Sequence, residues 1–310
     1  MSIAKPRLTI AHFAPRYWPH WLGAALLWLT VQLLPFVVLL WLGRAIGWLL
    51  PVVARERVAI ARRNLELCFP DQNPDEREAW LRDHYANTGI ALFETGMAWW
   101  WPEWRLRRVM QIQGLEHLQA AEAAGRGIIF LSFHFLTLEV GAAIFTLDHP
   151  GVGFYRPNKN PVIEWLQFHG RTRGRASLIA KNDIREAVRA VKGGARLWYA
   201  PDQDYGRRSS IFVPFFAVAD CPTVTATSAL VKLSGALLVP FVQRRLPGSQ
   251  GYVLELLPAL QDFPSGDAAS DARRINALLE EQILRQPSHY MWLHRRFKTR
   301  PDPQSPSYYQ

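Results

Sequence analysis

Cysteine is almost missing from this chain: Cys68 and Cys221 are the two among 310 residues, and no CxxC occurs. That excludes a disulfide framework and a cysteine-rich zinc site. Acidic side chains are scarce beside basic ones, 26 against 36, which leaves a formal charge of +10. A balance so short of acid suits polyanionic partners: nucleic acid, an anionic membrane or a phosphorylated substrate. Repeated long apolar runs are absent and mean hydropathy is −0.07, which argues against a polytopic membrane protein. With 49% hydrophobic residues and 13 Trp, the chain has too much to bury to be disordered. No internal repeat or low-complexity linker interrupts it.

One stretch lacks charge altogether. Between Arg16 and Arg44 there is no Asp, Glu, Lys or Arg. Its core, residues 21–41, is long enough to cross the roughly 30 Å hydrocarbon slab as a helix. Trp18, Trp21, Trp41 and Trp48 bracket it as interfacial anchors. The run is too long for a cleaved signal peptide and no small-x-small site follows it. Residues 1–50 are therefore expected to be a membrane anchor, with a buried core helix as the alternative. The flanking arginines favour the C-terminal side as cytoplasmic.

From residue 51 to 300 the pattern is that of an α/β body, a mixed, mostly parallel sheet covered by helices. Helical periodicity runs over 55–67, 74–101, 160–170, 183–192, 225–234 and 271–285. Short apolar runs at 128–133, 152–155, 196–200, 237–242 and 252–257 read as buried strands. The Pro- and Ser-rich residues 301–310 are expected to be poorly ordered.

The sharpest chemical pattern is His134 and Glu139, directly after the apolar run 128–133. Five steps on a straight helix would leave them about 140° apart, but a strand-to-helix turn brings such residues together. A carboxylate on one ring nitrogen fixes the tautomer, and the other nitrogen can then deprotonate a hydroxyl. On pattern alone H-x4-E recurs by chance, and a satisfied structural histidine reads as well as a base. Arg156, Arg171, Arg173 and Arg175 form a basic series suited to phosphate or carboxylate, or else a solvated face. Asp202 and Asp204 lack a third ligand nearby, so they are expected to hold substrate hydroxyls or lock arginines, with no metal. Arg295 and Arg296 lie in a basic run suited to a phosphate or lipid headgroup. The cluster Trp99, Trp100, Trp101 and Trp104 suits either a core or a membrane surface.

The ordered set of His134 to Glu139, the Tyr155-Arg156-Pro157 element, the basic run 170–175, Pro201 to Asp204, the segment 88–97 and the ending 292–297 resembles the bacterial lipid A late acyltransferases. That lauroyl and myristoyl transferase family belongs to the wider H-x4-D/E acyltransferases. The likeness spans nearly the whole chain, and the elements around Arg156 and Asp202 look more like its lauroyl-type branch.

The resemblance implies an enzyme that moves a fatty acyl chain from acyl carrier protein to a hydroxyl of a Kdo-bearing lipid A precursor, without a cofactor. His134 would be the general base, Glu139 its orienting carboxylate, and Arg171 an active-site arginine. Arg156, Arg173, Asp202, Asp204, Arg295 and Arg296 would contact substrate. The expected setting is the bacterial inner membrane, with a single N-terminal anchor and the catalytic domain on the cytoplasmic side. A monomer is expected, with acyl carrier protein, the precursor and the anionic membrane as partners and no nucleic acid. A glycerophosphate-type acyltransferase is the weaker enzyme reading, because Pro201-Asp202-Gln203 stands where that group carries Pro-Glu-Gly. A basic membrane-anchored anion-binding protein would explain charge and anchor but not His134 and Glu139.

Overall fold

The computed structural model describes residues 3–174, 176–181 and 183–309. The uncharged N-terminal stretch does not form one helix. It breaks into α1 (Trp18–Leu33) and α2 (Phe36–Gly47), followed by the short α3 (Leu50–Val53). Pro35 has no N–H to donate and drives Leu34 into an extended conformation, at φ −90° and ψ 143°. Arg105 then takes up the freed carbonyls of Val31, Gln32 and Leu34. Among the described residues no helix is long and apolar enough to cross a membrane, which corrects the transmembrane alternative drawn from the unbroken run.

These helices are also part of the body. After α4 (Arg55–Cys68) comes α5 (Pro74–Trp100), begun by Pro74 and capped by the Asn73 side chain on the Asp75 N–H. The backbones of α2 and α5 touch at glycines. A Cβ on Gly43 would lie 2.5 Å from Ile90 Cα, and one on Gly89 would strike the Gly43 carbonyl. Val31 and Leu39 are buried against Phe93, Met97, Trp101 and Tyr252.

The rest of the chain alternates. In order come α6 (Glu103–Arg108), β1 (Met110–Gln113), α7 (Leu115–Ala123), β2 (Ile128–Leu131), α8 (Leu138–Asp148), β3 (Gly151–Tyr155), α9 (Pro161–Thr172), β4 (Ala176–Ala180), α10 (Ile184–Lys192) and β5 (Arg196–Tyr199). There follow the hairpin β6 (Ser210–Phe215) and β7 (Val218–Val224), then α11 (Ala226–Ser234), β8 (Leu237–Arg245), β9 (Tyr252–Leu256) and α12 (Ala268–Arg285). Seven strands form one sheet in the order β1-β9-β8-β2-β5-β3-β4, parallel except where β8 meets β9. The mixed, mostly parallel sheet read from the sequence is present.

At its centre β2 is buried at all four residues, as a strand covered on both faces must be. One face carries Phe130, Trp198 and Phe241 against Phe145 of α8. The other packs Ile129, Leu131 and Leu197 with Ala187, Leu230 and Leu279. Residues 301–309, expected to be poorly ordered, are tied to the body. The Tyr308 hydroxyl bonds Asp220 at 3.0 Å and that of Tyr309 bonds Asn64 at 2.6 Å.

Candidate active site

The sheet brings the site together by adjacency. β2 and β5 are neighbours in parallel register, with Leu131 opposite Tyr199. The loops leaving their C-terminal ends therefore emerge side by side, where open α/β sheets place ligands. One loop carries His134 and the other Asp202. Oδ1 of Asp202 lies 2.7 Å from His134 Nδ1, and Oδ2 accepts the His134 backbone N–H at 2.9 Å. One carboxylate thus fixes both the ring and the turn that bears it.

Asp202 is 2% exposed. Burial alone would raise its pKa, but the His134 charge and hydrogen bonds, with Arg296, outweigh it and hold the carboxyl at about 2. Its own carbonyl accepts from Arg296 and, at 3.3 Å, from the Tyr290 hydroxyl. The segment after α12 straps the histidine turn: Met291 N–H donates to the His134 carbonyl and Leu136 N–H to that of His289. With Nδ1 committed, Nε2 of His134 is the nitrogen left for a substrate, and it has no protein partner among the described residues.

Glu139 does not orient the imidazole, and this corrects the expectation for the pair. It sits in the first turn of α8, and Oε1 accepts from Arg171 Nε at 2.9 Å. Oε2 accepts from Trp99 Nε1 at 3.3 Å. The carboxylate is drawn to the guanidinium on α9, while the neighbouring strand has already supplied the histidine's partner. Arg171 also reaches the Gln167 amide, at 3.0 Å in the orientation that satisfies both groups. Its donors are committed to Glu139 and Gln167, so it reads as a braced cation of the cavity wall. Burial would lower its pKa, and the Glu139 charge more than restores it.

Other expected contacts fall elsewhere. Asp204 accepts from Gly206 N, Thr299 N and Thr299 Oγ1, at 2.8, 2.7 and 2.9 Å, and so ties its loop to the C-terminal segment. Arg296 is buried beneath Asp202 and also donates to Asn276, so it faces the core and not a headgroup. Arg295 pairs with Glu56 at 2.9 Å. Arg156 and Arg173 are exposed and lie outside the cavity lining. Arg175 lies outside the described residues. Of the tryptophans, Trp101 is core, Trp99 lines the cavity and Trp104 is exposed.

His134, Glu139 and Arg171 open onto a cavity of about 660 Å³, within the size range of small-molecule sites. Small residues carve it. Ala91, Thr95 and Ala98 form one stripe of α5, and Ala142, Ala143 and Thr146 one stripe of α8. Gly151 and Gly153 leave β3 bare on the same side. Such stripes pass for ordinary helix packing in a sequence; the Gly-Val-Gly alternation of β3 was the one readable signal. Residues 6–299 match the family described as bacterial lipid A biosynthesis acyltransferase.

This chain belongs to that family.

The acyltransferase is 47% identical to the lipid A biosynthesis lauroyltransferase of Escherichia coli K12, over 96% of this chain and 97% of that one. It is 42% identical to the lipid A biosynthesis palmitoleoyltransferase of the same organism, over 95% of each chain. A solved 1-acyl-sn-glycerophosphate acyltransferase, PlsC from Thermotoga maritima, superposes with a TM-score of 0.38 at 13% identity, covering 82% of this chain and 96% of that one, too distant a likeness to carry an argument. The protein is a lipid A biosynthesis acyltransferase. An imidazole with Nδ1–H held on a buried carboxylate is suited to act as a base through Nε2.

Proposed function

We propose that the enzyme transfers a fatty acyl chain from the thioester of acyl carrier protein to a hydroxyl of a Kdo-bearing lipid A precursor. One observation carries this reading: His134, held by the buried Asp202, lines a largely apolar cavity in a chain of this family. Nε2 of His134 takes the acceptor hydroxyl proton as the oxygen attacks the thioester carbon. Asp202 holds the ring and stabilises the imidazolium that forms. The first turn of α8, with backbone N–H groups not used inside the helix, lies beside the histidine turn and suits the developing oxyanion. Collapse breaks the C–S bond, and the imidazolium returns the proton to the departing thiolate. The net charge of +10 suits an acidic carrier and a phosphorylated acceptor alike.

Anchoring belongs to the same proposal. Trp18, Leu22, Leu33, Trp41, Trp48 and Val53 on α1 to α3 and their flanks are each more than half exposed, a broad apolar face. It suits residues 1–50 lying in the interface of the inner membrane, with the catalytic body on the cytoplasmic side. The test is acyl transfer by purified protein, with His134→Ala as the control. General-base catalysis contributes about 10²–10⁴-fold, so a folded variant should lose that much. A folded His134→Ala enzyme with normal turnover would refute the mechanism.

A further inference from the structure

We infer that Gly153 sets how long an acyl chain the cavity accepts, an inference that rests on the acyl-donor reading above. The strand ladder gives the direction of depth. Gly153 is level with Trp198 of β5, which is level with Phe130 of β2, and His134 follows four residues later in the chain. Gly151 lies two residues deeper on β3, about 6.6 Å further from the catalytic end at 3.3 Å per residue. Both glycines share a face with Trp198, since side chains alternate along a strand and the register aligns these positions. On the helix wall Thr146 stands seven residues beyond Glu139, about 10 Å along the α8 axis. One arm of the cavity therefore runs from the imidazole inward between β3 and α8, while Ile184, Tyr205, Ser209, Val224 and Ala226 line another part of it.

Its two glycines differ in what surrounds them. A Cβ on Gly151 would lie 3.1 Å from the Trp198 indole, so the deep end is already closed by that ring. A Cβ on Gly153 would meet Leu178 Cδ2 alone, at 3.9 Å. Its backbone is not among the positive-φ glycines, so a side chain is tolerated there without strain. The open space beside Gly153 is therefore the last before that ring. A branched side chain there would fill it and shorten the room for an acyl chain without touching His134, Asp202 or Glu139.

The experiment is a competition among octanoyl, decanoyl, dodecanoyl, tetradecanoyl and hexadecanoyl thioesters of acyl carrier protein. Full-length wild type, Gly153→Ala and Gly153→Val would be compared, with product ratios read by mass spectrometry. The expected result is a graded shift of the optimum to shorter chains, small in G153A and larger in G153V. Loss on the wild-type optimum should be about fourfold for each methylene left without room. G153A guards against misfolding, because its one new contact is at ordinary distance. An unchanged preference in folded variants, or an equal loss at every length, would overturn the inference while leaving the transferase reading intact. A wild type that accepts no acyl thioester would instead remove the donor reading, and this inference with it.

Discussion

Asp202→Asn is an isosteric change whose effect follows from two hydrogen bonds. In the wild type, Oδ2 accepts the His134 backbone N–H at 2.9 Å and Oδ1 accepts Nδ1–H at 2.7 Å. An amide has one oxygen and one NH₂, so it cannot serve both donors. With its oxygen on the backbone N–H, its NH₂ faces Nδ1. The ring must then accept there and carry its proton on Nε2, the nitrogen that catalysis needs bare. The opposite orientation restores the tautomer but leaves a buried backbone N–H facing NH₂, at about 1–3 kcal/mol. At about 1.4 kcal/mol per tenfold, the competent form is depleted roughly 5- to 150-fold. Loss of the negative charge that stabilises the imidazolium adds to this. The expected fall in kcat/KM is therefore about 10²–10⁴, the full general-base contribution. The assay is single-turnover acyl transfer, with the melting temperature as the control for folding. A folded D202N enzyme with near wild-type turnover would show that this carboxylate does not set the tautomer.

Glu139→Gln should leave the tautomer untouched and act through Arg171, so its loss should be smaller than that of D202N; the reverse ranking would restore Glu139 as the histidine's partner. Gly89→Ala drives a methyl into the Gly43 carbonyl, so α2 must shift from α5 and the melting temperature should fall by several degrees. Burial holds His84 and His294 at about 4 and His289 at about 3, against about 6.5 when unfolded. The unfolded chain binds their protons first as pH falls below about 6.5, so stability present at neutral pH should drain away towards pH 4. The slope approaches about 1.4 kcal/mol per pH unit for each histidine, and urea unfolding at pH 7 and pH 5 reads it. Replacing Trp41 and Trp48 with Glu should weaken binding to anionic vesicles; unchanged binding would place the anchoring elsewhere.

Much of the fold was legible because its central strands are short apolar runs after glycine or charge, and several of its helices carry helical period. The strands at 110–113 and 176–180 were not read, since both are short sheet-edge segments with polar residues at alternate or early positions. The hairpin of β6 and β7 contains Pro214 and Pro222, which mask a strand pattern. At the site, His134 was readable from its place after β2. Its partner was not, because spacing along the chain cannot reveal that β5 lies next to β2. Glu139 was the nearest carboxylate in sequence and Asp202 the nearest in space. Arg296 read as a phosphate or headgroup contact in a basic run, although the side chain turns inward to clamp the Asp202 carbonyl.

Helix α5 has a further consequence. Gly89 touches α2 on one side, while Ala91, two residues or about 200° around the axis, lines the cavity on the other. The apolar outer face and the reaction chamber are thus separated by two helices, α5 and α2, packed backbone to backbone at their glycines. With α1 to α3 seated in a leaflet as proposed, a lipid acceptor would stay embedded while a soluble donor arrived from the water, and the protein would work as a partition between two phases.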